Sequence, residues 1–369
     1  MLFPYTYVPH QMEKMQTFID FIFHEVWCKA PASGPFGLSL FDANAELREV
    51  MEAFLWDDSK GAEFFYGHVD RIYGLFSVLN AAQVSQFQQW YQGNNDLEQV
   101  CANDPTVQLA RYADVAVAVA HKDLNEQLAA FFKGLYSQSL LDLAALRAKI
   151  GDINDHYQAF VTTNNAGKCP FCGINDLLGE YHTKREAYDH YLPKSLYPFN
   201  SINFKNLVPA CHHCNSSYKT SKDLAYAPKD PAGTAKRRTV FYPYTATPYA
   251  IELQVTLQHS DIANLTPSNI SLQFGPGALD EKIETWKDVY GIEERYKAKF
   301  CSNDSRDWLE QVRILHRHHN LAPTAYLASL DEQLQQSPVA NCNFLKKPFL
   351  EACQRVGLLD AIASGENPP

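Results

Sequence analysis

Two Cys-x-x-Cys pairs, Cys169 and Cys172 in "CPFCG" and Cys211 and Cys214 in "PACHHCN", constrain this chain more than any other feature. A CxxC turn presents two thiolates to one ion, so two such turns can complete a closed tetrahedral four-thiolate zinc site. A shell of four thiolates has no open position, so this zinc is expected to be structural. It would clamp the two ends of the 38 residues between the pairs, 173 to 210. A redox pair would need only one CxxC at a strand-to-helix turn, and a disulfide framework belongs to small secreted chains. The other five cysteines (28, 101, 301, 342 and 353) are scattered singly and read as small apolar core residues.

A chain of 369 residues with 46% hydrophobic and 13% aromatic content can bury a large core. No run approaches the roughly 18 apolar residues that span a bilayer, and the start lacks a basic segment before an apolar one, so a soluble cytoplasmic protein is expected. The net charge of -10 argues against a general nucleic-acid coat protein. Residues 168 to 238 nevertheless hold 11 Lys and Arg against 6 Asp and Glu, a basic island of +5 in an acidic chain.

Residues 1–165 read as mostly helix. Met15, Phe18, Ile19, Ile22 and Val26 recur at helical steps, as do Leu47, Val50, Met51, Phe54 and Leu55. A longer helical stretch, 128 to 150, is expected to bend or break near Gly134. Residues 166–238 are short pieces punctuated by Pro and Gly. In 239–369, "TVFYPYTA", "AIELQVTLQ" and "ISLQF" alternate as strands, and helices resume at "LDEKIETWKDVYGIEERYKAKF".

Between the cysteine pairs lie Asp189 and His190, then Asn206, with Asn215 directly after the last cysteine. The stretch "CPFCG...YDHYLPKS...FKNLVPACHHCNSSYKTSK" resembles an HNH endonuclease of the zinc-bearing kind, over about 55 residues in which zinc ligands and catalytic positions interleave in the family's order. With the helical and strand patterns on either side, the expected chain is α+β: a mostly helical regulatory or interaction domain (1–165), a central segment that the resemblance implies is a ββα-metal nuclease core (166–238) and a small mixed α/β carboxy-terminal region (239–369). "NLVPA" would form the second strand of the core, and "NSSYKTSK" would open its helix.

The same resemblance implies roles. His190 would be the general base, Asp189 and Asn215 would hold a catalytic Mg2+ or Mn2+ ion, and Asn206 would bond backbone to fix the loop behind the histidine. A neutral histidine suits deprotonation of water near pH 7, and carboxylate and amide oxygens suit a hard ion. Asn215 stands where many members have His, which leaves the preferred ion open. Lys194, Lys205, Lys219 and Lys222 would neutralise phosphates, with His182 a further phosphate contact, and His212 and His213 are read as non-ligands. "HRHHN" at 316 to 320 reads as a polar helix end. Trp286, Tyr290 and Tyr296 lie in a segment that resembles one following the core in HNH proteins, and are expected to pack.

The resemblance thus implies a metal-dependent nuclease acting on DNA. HNH ribonuclease activity, for example on tRNA, and a zinc-stabilised adaptor with a dead site stay open beside it. Large helical extensions accompany HNH subunits of bacterial phage-defence systems of the Septu type. By that analogy a partner ATPase and self-association are expected, and no membrane partner.

Overall fold

Helices built on apolar stripes make up the amino-terminal half. Helix Lys14–Phe21 runs into Ile22–Trp27, and together they bury Met15, Phe18, Ile19, Ile22, Phe23, Val26 and Trp27. The Trp27 indole N–H, which cannot be left unpaired in a core, donates to the Val69 carbonyl at 3.0 Å. Helix Ala45–Leu55 starts at Asn44, whose side chain accepts from the Leu47 amide, and buries the expected Leu47, Val50, Met51 and Phe54. The computed structural model describes residues 1–119, 121–165 and 167–364, which are mostly helical with two small antiparallel sheets.

The stretch expected to break near Gly134 does so. Helix Lys122–Gly134 ends, residues 135 to 137 turn, and Gln138–Leu141 and Ala144–Ile150 follow as separate helices. That turn sets Tyr136 on the face toward the segment between the cysteine pairs.

Four strands are present among the described residues. β1 (Tyr188–His190) pairs antiparallel with β2 (Leu207–Pro209), placing Asp189 opposite Val208 and His190 opposite Leu207. A helical segment, His213–Lys219, follows β2; it winds wide, with the Thr220 amide bonding the Asn215 carbonyl. β3 (Glu252–Leu257) pairs with β4 (Ile270–Gly275).

The expected strand at "TVFYPYTA" is a correction, because no strand covers it. Its polar groups are spent on other segments. Val240 donates to the Cys101 carbonyl, the Phe241 carbonyl accepts from Tyr191, and the Pro243 carbonyl accepts from the Tyr5 amide. The helix expected over 279 to 300 divides into Asp280–Tyr290 and Ile292–Phe300. Gly291 separates them at φ +60, and a Cβ there would stand 2.5 Å from the Tyr218 ring, so this position needs glycine both for its backbone and for space.

Buried apolar side chains from all three parts of the chain join one connected core. Polar seams run beside it. Asn94, fully buried, donates to the carbonyls of Ala110 (2.8 Å) and Pro198 (2.9 Å) and accepts from the Ala110 amide. The Asn200 side chain answers by donating to the Asn94 carbonyl at 3.0 Å. The helical layer therefore grips the loop that joins β1 to β2. Among the described residues, no helix is long and apolar enough to cross a membrane.

Candidate active site

The four cysteines come together. The sulfurs of Cys169, Cys172, Cys211 and Cys214 all lie within 4.8 Å of one another, and all four residues are buried. None is in a disulfide. A tetrahedral ion with bonds of about 2.3 Å would set its sulfurs roughly 3.8 Å apart, so this donor set fits zinc in spacing and in chemistry. His212 and His213 are exposed and stand outside the cluster.

Each turn of the site is fixed from outside. Gly173 bonds its amide to the Cys169 carbonyl at 2.7 Å and sits at φ +68, where a Cβ would meet Leu2 at 2.3 Å and the Phe344 ring at 2.7 Å. The Cys214 amide points at the Cys211 sulfur at 3.5 Å. Trp286 donates to the Phe171 carbonyl (2.6 Å) and Tyr296 to the Cys172 carbonyl (3.0 Å), so the aromatic residues singled out in the sequence pack directly on the first cysteine turn. Arg295 donates to the Cys214 sulfur at 3.2 Å and to Asn175 at 3.0 Å, with its guanidinium 4.7 Å from the Tyr218 ring centre. A four-thiolate zinc carries an excess of two negative charges, and this buried cation offsets part of it.

Next to the cluster, the β1–β2 pair presents Asp189 and His190. His190 is partly exposed, and its Nε2 lies 2.9 Å from the Ser201 carbonyl. A carbonyl only accepts, so Nε2 carries the hydrogen and Nδ1 keeps the lone pair. Burial, then the Lys194 ammonium, pulls the imidazole down to about 3, so the ring is neutral at physiological pH. The Tyr136 ring meets His190 edge-on with centroids 5.0 Å apart.

Asn206 is fully buried and spends its amide on backbone. It accepts from the Leu192 amide at 2.7 Å and donates to the carbonyls of Leu192 (3.0 Å) and Asn200 (3.2 Å). Its bonds thus close the loop whose Ser201 carbonyl aims the histidine.

Asp189 is 2% exposed, and its Oδ1 is taken by the Lys219 ammonium at 2.8 Å. The same ammonium donates to the His190 carbonyl at 2.8 Å. Burial pushes the Asp189 carboxyl up and Lys219 opposes that shift. The other carboxylate oxygen, Oδ2, is buried without a hydrogen-bond partner. A carboxylate oxygen of this kind is a hard donor, the type that Mg2+ and Mn2+ take. Asn215 is half-buried and lies four residues before Lys219 in the helical segment.

The four lysines part company. Lys205 is exposed. Lys194 is half-buried beside Tyr136, with its ammonium 5.6 Å from that ring, and burial lowers its pKa. Lys219 does not face solvent phosphate as expected, whereas Lys222 is exposed. Lys219 is fully buried on Asp189, and Lys222 donates to the carbonyls of Asp288 (2.9 Å) and Val289 (3.3 Å) at the end of helix Asp280–Tyr290. His182 is exposed and bonds within its own turn, to the backbone of Gly179. "HRHHN" closes helix Asn303–His319, with Asn320 in the left-handed region.

Ser201, Tyr136 and Arg295 were not marked by the sequence. Ser201 acts through its carbonyl, which any residue could supply, and Tyr136 arrives from a turn between two helices, 54 positions before His190. Arg295 lay within the segment resembling HNH flanks, but its target, a sulfur 81 positions away, had no local signal. Comparison of the chain with protein-family models, curated proteins and solved structures finds no match.

Proposed function

We propose that this protein is a metal-dependent endonuclease of the HNH kind that hydrolyses phosphodiester bonds in DNA. The observation that carries the reading is the setting of His190. Its Nε2–H is fixed on the Ser201 carbonyl by a loop that Asn206 locks, which leaves Nδ1 as a neutral base on a partly exposed edge. The order of strand, strand and helical segment beside a four-cysteine cluster, with Asp189 adjacent, agrees with the resemblance in the sequence.

In this reading His190 takes a proton from water at Nδ1 as the water oxygen attacks phosphorus. The bond from phosphorus to the 3' oxygen breaks, and that oxygen takes up a proton from solvent, giving 5'-phosphate and 3'-hydroxyl ends. A divalent ion held by Asp189 and Asn215 would supply positive charge for the phosphate and the departing oxygen. Lys194 and Lys205 hold the backbone near the base, while the four-cysteine zinc keeps the strand ends in place and takes no part in the reaction.

The test incubates purified protein with plasmid, linear duplex, single-stranded DNA and total RNA in the presence of Mg2+ or Mn2+, beside His190→Ala. Cleavage of DNA by the wild type, and its loss by a factor on the order of 100 or more in the variant with zinc content unchanged, is the expected result. Equal cleavage by His190→Ala would remove the histidine from the mechanism. Cleavage of RNA alone would move the substrate class. Absence of cleavage with intact nucleic-acid binding would favour the adaptor reading.

A further inference from the structure

A fully buried lysine needs a reason, since an ammonium is rarely stripped of water without a partner of opposite charge. Lys219 has one in Asp189 Oδ1 at 2.8 Å, and a second acceptor in the His190 carbonyl at 2.8 Å. We infer that Lys219 is the internal cation of this site, seated on the carboxylate that a divalent ion would use, so that an ion reaches Asp189 only in competition with the lysine.

The argument is one of charge. Asp189 carries one negative charge and Lys219 one positive charge, and both side chains are almost wholly out of water, at 3% and 1% exposure. An approaching hydrated Mg2+ or Mn2+ therefore meets a neutral pair, and settling on Oδ2 would put two cations on one carboxylate at low dielectric. Displacing the ammonium removes that repulsion. Asn215, the other oxygen ligand of the proposed ion, rides on the same helical segment as Lys219, His213–Lys219, so the element that supplies a ligand also carries its competitor. With the lysine seated, the ammonium also ties that segment to β1 through the His190 carbonyl. The seated and displaced positions of Lys219 would then be two states of the site, one without the ion and one with it.

This inference rests on reading Asp189 as an ion-binding carboxylate, and its test needs no substrate. Binding of Mn2+ is measured from the electron paramagnetic resonance signal of the free ion, for the wild type, Lys219→Met and the double variant Lys219→Met/Asp189→Asn, each holding its zinc. Lys219→Met should bind Mn2+ about tenfold more tightly than the wild type, and the double variant should lose the gain. Equal or weaker binding by zinc-loaded Lys219→Met, or a gain that survives Asp189→Asn, would overturn the inference.

If Lys219→Met does not hold zinc, the wild type itself decides. Acylation of lysines, read by peptide mass spectrometry with exposed Lys205 as the internal control, should spare Lys219 without Mn2+ and modify it at saturating Mn2+. Continued protection of Lys219, or no Mn2+ bound at saturation, would overturn the inference just as firmly. Neither measurement depends on cleavage, so a protein that cuts nothing leaves the binding result standing, and a failed competition leaves cleavage to its own test.

Discussion

His190 and Asp189 are neighbours in sequence, yet burial acts on them in opposite directions. Taking a charge out of water favours the neutral form, which lowers the imidazole to about 3 and pushes the carboxyl up. Burial also brings His156 down to about 4, where its Nδ1 meets the Tyr188 hydroxyl. An exposed histidine titrates near 6.5, so the unfolded chain takes up protons on both rings in a range where the folded chain does not. Because the unfolded state binds more protons there, stability falls as pH drops from about 6.5 toward 4; proton uptake by folded Asp189 offsets part of this at the acid end. The urea midpoint should drop between pH 7 and pH 4.5, with His190 contributing on the order of 2 kcal/mol of the loss. In His190→Gln, which has no group titrating in that range, the drop should be smaller by about that amount, and an equal drop would count against a buried neutral ring.

The element that holds this geometry is the pair of cysteine turns. A strand of three residues such as β1 is too short to stand by its ladder bonds alone. Structural zinc contributes folding free energy on the order of 10 kcal/mol in small zinc modules, and here it would fasten both ends of the segment that contains β1 and β2. Cys172→Ser should therefore loosen residues 168 to 240 first. Limited proteolysis should open sites in that range while fragments of the amino-terminal helices persist. The carboxy-terminal helices are expected to feel the change more than the sequence suggested, because Trp286, Tyr296 and Arg295 bond to the cysteine turns themselves. A variant with wild-type protease resistance would mean that the four cysteines hold no structural ion.

Across the whole molecule, the helical layer and the proposed catalytic segment share one core and a hydrogen-bond seam centred on Asn94. Asn94→Ala would leave three buried backbone groups, the Ala110 amide and the carbonyls of Ala110 and Pro198, without that side-chain partner, at a cost of roughly 3 kcal/mol. If the parts fold as one unit, the midpoints of helix loss, followed by circular dichroism, and of zinc release, followed by a chelating dye, should shift down together. A shift in zinc release with the helical transition unmoved would show that the two parts unfold separately.

The amino-acid sequence by itself determined the periodic elements and the metal-ligand spacing. Leu47, Val50, Met51 and Phe54 announced a helix face because each turn repeats its apolar contact, and two CxxC turns announced a four-thiolate cluster because that spacing suits one ion. Asn206 was marked only through the resemblance, as the residue that bonds loop backbone, and its amide does bond the backbone of Leu192 and Asn200. What only the tertiary structure decided is which partner each polar group finds. Sequence spacing made Lys219 look like a surface cation, but the helical segment folds back and buries it on Asp189. "TVFYPYTA" alternates like a strand, yet contacts with Cys101, Tyr5 and Tyr191 take its polar groups before any ladder can. Local patterns fix what a segment can become, whereas the pairing of charges and backbone groups across tens of residues is settled only when distant segments compete for the same partner.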